Sequence, residues 1–63
     1  MNKTINGSYD NHEQAKNTWD DLIATGIPRD NIYLDEEAKL VKVIVPEETE
    51  REVREIFDRH RLH

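Results

Sequence analysis

The residues with chemistry to offer cluster first at Tyr9, Asp10 and His12, where a phenol, a carboxylate and an imidazole stand almost side by side. Such groups serve general acid-base catalysis when a partner is set within hydrogen-bond reach. Here Asp10 has a competing use as the acceptor that caps a helix, and the sequence sets no nucleophile or second carboxylate beside it. No catalytic residue is assigned, and the chain is not read as an enzyme. His60 and His63 are spaced to share a helix face, but a zinc site draws on three or four convergent ligands. His60 reads as the end of an apolar stripe and His63 as a frayed terminus, so neither a metal nor another cofactor is implied.

Two further groups have a sharp and a plain reading. Gly7-Ser8 just before a helix start could cradle an anion with free amides and the helix dipole, although the negative charge of Asp10 competes for that position. The turn formed by Gly7, Ser8, Asp10 and His12 is kept as a candidate small-ligand or anion site, the alternative functional reading. Asp35-Glu36-Glu37 lacks the glycine and alternating oxygen ligands of a calcium loop and reads as a solvated turn. Trp19, the single tryptophan, lies on a helical apolar stripe and reads as core.

At 63 residues the chain holds one core and one domain. It contains 35% hydrophobic and 37% charged residues, yet the apolar positions are periodic and specify a folded chain. Domains of this size balance near zero stability, so self-association is a plausible reinforcement. There is no cysteine, which removes disulfides, thiolate zinc sites and a thiol nucleophile and suits a reducing compartment. No apolar run suits a signal peptide or a membrane span, and a cytoplasmic location is expected. The formal charge of −5 repels polyanions, so nucleic acid and membrane are not expected partners.

The elements that position these groups follow from periodicity. Lys3 to Tyr9 alternates as a polar strand, with Ile5 and Tyr9 on one side and Thr4, Asn6 and Ser8 on the other; Gly7 marks a bulge or a close backbone approach. Asp10 followed by Glu13 resembles a capping box, opening a helix over about 11–25 whose stripe is Ala15, Trp19, Leu22 and Ile23. Gly26 supplies the left-handed stop and Pro28 prevents continuation. Residues 31–35 form a second strand, with Ile32 and Leu34 on one face and Tyr33 on the other.

A hairpin-length link leads to the third strand at 40–45, in which Val41, Val43 and Val45 face the helices and Leu40 and Ile44 share the outer side with Lys42. Pro46 and a Thr49–Glu52 capping box open the last helix, which carries Val53, Ile56, Phe57 and His60 on one stripe. Glu47–Arg51, Glu50–Arg54 and Glu55–Arg59 are favourable i,i+4 pairs along it.

The expected fold is α+β, β-α-β-β-α, with a three-stranded antiparallel-type sheet in the order 1-3-2 and both helices on one face. This is a ferredoxin-like arrangement lacking the last strand. Its first strand has an unpaired edge, and the bare face carries Tyr33, Leu40 and Ile44, the candidate interface. A homodimer or another protein partner is expected there.

Gly7-Ser8-Tyr9-Asp10, Glu13, Ala15, Leu22, Gly26-Ile27-Pro28 and Asn31-Ile32 together resemble the start of the bacterial heat-induced or general stress protein domain, over about the first half of the chain. The resemblance implies a small bacterial α/β domain connected with stress, and it brings no catalytic motif. The expected function is a non-enzymatic interaction or regulatory module.

Overall fold

A computed structural model describes all residues, 1–63. Strand β1 (Asn2–Ser8) leads to helix α1 (His12–Thr25), strand β2 (Ile32–Asp35), strand β3 (Leu40–Pro46) and helix α2 (Glu50–Arg59). Short 3-10 turns, Arg29–Asn31 and Glu47–Thr49, lead into β2 and α2. The sheet order is β1-β3-β2, and β3 is antiparallel to both neighbours. This is the expected α+β arrangement. No helix is long and apolar enough to cross a membrane.

The valine run of β3 explains its central place. Val41, Val43 and Val45 are buried and lie opposite Gly7, Ile5 and Lys3 of β1; Ile32 and Leu34 of β2 lie opposite Val43 and Val41. Ile5, Ile32 and the three valines share one core with Ala15 and Leu22 of α1 and Val53, Ile56 and Phe57 of α2, with Leu34 packed against it, so both helices cover the same face. Each fully buried aliphatic side chain contributes about 1.5–3 kcal/mol, and the alternation of β3 places all three valines there together. Trp19 and Ile23 are partly buried against this core.

Gly7 is neither a bulge nor a backbone contact. The β1–β3 register runs unbroken through it, and its space is taken by side chains of the last segment. A Cβ there would lie 2.7 and 2.8 Å from atoms of the Phe57 ring and 2.9 Å from Leu62 Cδ1.

The helix ends show two corrections and one repetition. The cap of α1 is Asn11 rather than Asp10: Asn11 Oδ1 accepts from the Gln14 N–H (2.8 Å), while Gln14 Oε1 accepts from the Asp10 N–H (2.7 Å). The cap thus forms one residue later than the sequence pattern suggests, with Gln14 in the place given to Glu13 and its side chain reaching back to the amide of Asp10, just before the cap, rather than to that of the cap residue. Thr49 makes no capping hydrogen bond, because the preceding 3-10 turn already holds it in a helical conformation and supplies the entry.

At the other ends the same device appears twice. Gly26, at φ 108°, donates to the Ile23 carbonyl (3.0 Å) and Ile27 to the Leu22 carbonyl (3.2 Å). Arg61, at φ 61°, donates to the Asp58 carbonyl (3.1 Å) and Leu62 to the Phe57 carbonyl (2.9 Å). Both are Schellman motifs, and each turns the following aliphatic residue inward. Ile27 and Leu62 are accordingly buried.

Two stability outcomes follow. Gly7→Ala forces Phe57 and Leu62 aside and should destabilise by about 1–3 kcal/mol, the usual cost of overpacking. Arg61→Gly relieves a left-handed arginine and should stabilise by about 0.5–1 kcal/mol. Urea midpoints of the two variants against the parent chain measure both.

Candidate functional site

The turn between β1 and α1 is held by its own backbone. Ser8 N–H donates to the His63 carbonyl and His63 N–H to the Ser8 carbonyl, both at 2.9 Å. Tyr9 N–H donates to the Lys39 carbonyl (2.9 Å), and Asp10 N–H is taken by Gln14. The amides of Ser8, Tyr9 and Asp10 are therefore committed within the fold, and Gly7 is covered by Phe57 and Leu62.

Tyr9 is buried, whereas Asp10 and His12 are exposed. Asp10 Oδ2 lies 4.0 Å from His63 Nε2, so its carboxylate is directed at the end of the chain rather than at His12. His12 flanks a different surface groove, of about 260 Å3, with Lys16, Trp19, Asp20 and Leu34. The structure thus separates the members of the Gly7–His12 turn instead of converging them on one point.

His63 is not frayed. Its reciprocal bonds to Ser8 make it a single antiparallel rung on the outer edge of β1, reached because the Schellman turn at Arg61 and the buried Leu62 steer the chain back to the sheet. Nothing in the local sequence marks His63 for this; the signal lies in Leu62, an aliphatic residue just past a helix end.

The polar link between the helices was not legible in the sequence either. Asp21 Oδ2 accepts from Arg59 Nη1 (3.0 Å) and lies 2.9 Å from His60 Nε2. Arg59 thus bonds to α1 rather than to Glu55, and of the three pairs expected along α2 only Glu50–Arg54 closes, at 2.9 Å. His60 ends the apolar stripe as expected but turns its ring nitrogen to Asp21. Two turns earlier in α1, Gln14 Nε2 donates to the carbonyls of His60 (2.7 Å) and Arg61 (3.2 Å). The first turn of α1 therefore satisfies carbonyl groups left open at the end of α2.

The hydrogen bond from His60 holds the Asp21 carboxyl below its ordinary range; partial burial opposes it, and the nearby charge of Arg59 reinforces it.

The outer sheet face is the remaining candidate surface. Tyr33 is half exposed, at 51%, and stands opposite Lys42. Leu40 and Ile44, half-buried, flank Lys42 along β3, diagonal to Tyr33 and within reach of its ring. The three residues expected at an interface therefore share one face, grouped around a lysine and bordered by Thr4, Asn6 and Ser8 of β1.

Comparison of the chain with family models, curated proteins and solved structures finds no match.

The Asp21 geometry sets a pH dependence. Its folded carboxyl titrates below the unfolded value of about 3.9, so its contribution is complete above that pH and is lost as pH falls through the lower folded value. Asp21→Asn should therefore reduce stability at neutral pH by no more than about 1 kcal/mol, as for a partly exposed pair. It should also make the acid limb shallower, as measured by urea midpoints from pH 7 down to pH 2.

Proposed function

We propose that this chain is a non-enzymatic protein-interaction module that docks through the open face of its sheet, in the first instance against a second copy of itself. The observation that carries the reading is the two-faced sheet. Both helices lie on one side, and on the other Tyr33, Leu40 and Ile44 stand in a single group with no layer over them. Sheets are stabilised when such a face is covered by another sheet packed against it, and a chain this short has little core to spare.

Lys42 within the group sets a condition on the contact. Its ammonium must reach the rim or meet a carboxylate, and Asp35 of a second copy is an available partner on the same face. The likeness of the first half of the chain to the bacterial general stress domain supplies the setting of the proposal, a cytoplasmic role in a stress response. The Gly7–His12 turn is not used, since its Ser8, Tyr9 and Asp10 amides are engaged internally and Asp10 and His12 do not converge.

Sedimentation from micromolar to millimolar protein tests the reading. The parent chain should gain mass with concentration, and Ile44→Asp should lower the mass reached while leaving the far-ultraviolet circular dichroism unchanged. A strictly monomeric parent chain, or an Ile44→Asp variant that sediments like it, overturns the proposal.

A further inference from the structure

The two edges of the sheet are unequal. β2 is four residues long, and the Ile32 N–H at its start is already bonded to the Arg29 carbonyl. β1 is seven residues long. In an antiparallel ladder, residues alternate between bonding to one neighbour and turning outward. Ser8 turns its N–H and carbonyl outward, to His63, so Asn6, Thr4 and Asn2 turn theirs outward as well. His63 thus lays the first rung along this edge, and the positions beyond it are open. Beside them a groove of about 220 Å3 is lined by Asn6, Arg54, Phe57, Asp58, Leu62 and His63.

We infer that the strand that fills this edge is β1 of a second copy, in a two-fold antiparallel pair with Thr4 opposite Thr4 and Asn2 opposite Asn6. The register follows from what is free. The outward positions Asn2, Thr4 and Asn6 are symmetric about Thr4, so a two-fold axis there meets every outward N–H with a carbonyl. Sliding one rung towards Ser8 displaces His63, and sliding the other way forfeits a rung.

Charge and apolar surface agree with this occupant. In a chain of net charge −5, β1 carries a single ionised side chain, Lys3, so two copies meet here with little of the repulsion their acidic helices would generate. The pairing sets Lys3 of each copy opposite Ile5 of the other, on the helix side of the sheet, where Asp58 flanks the groove. It also brings Met1, whose side chain is wholly exposed, opposite Gly7, beside Phe57 and Leu62.

The inference rests on the reading of the chain as self-associating, but it uses a different surface. Edge pairing joins two sheets into one and leaves the outer face of each free, so the two contacts can operate together.

The test is therefore made in the Ile44→Asp background, where the outer-face contact is silenced. Ile44→Asp should sediment as a dimer at high concentration. Adding Thr4→Pro, which deletes the outward N–H at the two-fold axis and is tolerated on an edge, should weaken that dimer at least about tenfold. Amide hydrogen exchange of Ile44→Asp alone gives a second reading that needs no proline: Asn2, Thr4 and Asn6 should slow as concentration rises, while Ile5 and Gly7 should not change. Concentration-independent exchange at Asn2, Thr4 and Asn6, or a monomeric Ile44→Asp beside an associating parent chain, overturns edge pairing and leaves the outer-face proposal standing. A monomeric parent chain removes both.

Discussion

The absence of a side chain at Gly7 is the constraint on which the rest of the structure depends. The Phe57 ring and Leu62 sit where a Cβ would be, so α2 approaches β1 as closely as it does only because this position is empty. That approach buries Phe57 and Leu62, and the burial of Leu62 carries His63 to the edge of β1. The Tyr9 bond to Lys39 and the Ser8 bonds to His63 then lock the turn that starts α1. A substitution at Gly7 is thus felt in the packing of α2, the path of the last residues and the occupancy of the sheet edge at once.

The helices are tied by a second, polar set of contacts. With β1 and β2 parallel and β3 reversed between them, α1 and α2 run in opposite directions, and the start of one lies beside the end of the other. Gln14 uses both ends of its amide in this position, one to fix the cap of α1 and the other to occupy the last carbonyls of α2. Asp21 adds the charge-assisted counterpart further along α1. The favourable alignment of opposed helix dipoles is in this way converted into specific bonds.

What could be read from the sequence and what could not divide along a physical line. The order of elements, the central place of β3 and the faces of Ile32, Tyr33, Val41, Val43 and Val45 depend on periodicity, which a single chain displays in full. The residues missed depend on where one element meets another. Asn11 displaced Asp10 as the cap because Gln14, engaged with α2, fixed the register of the first turn. Arg59 left Glu55 for Asp21 because α1 packs beside it. Thr18 is wholly buried despite its hydroxyl, which donates to the Gln14 carbonyl at 2.8 Å and so enters the core with its polar group satisfied. Of the candidate residues, the three on the outer face were legible from strand alternation alone. The separation of Asp10 from His12 was not, since it follows from the path of the final residues.

The central strand recruits its two neighbours from very different distances along the chain. β2 is joined to β3 by the four-residue turn Glu36–Lys39 and can pair locally, on the microsecond scale typical of hairpins. β1 must wait until α1, β2 and β3 have all been made before its own partner exists. A strand synthesised first and paired late is a hazard if it is apolar, because it offers an open template to other unfinished chains. The alternation of Asn2, Thr4, Asn6 and Ser8 along β1 makes that waiting segment soluble, and its reliance on Ile5 and an empty Gly7 for burial is the form a strand takes when it must survive alone before it is needed.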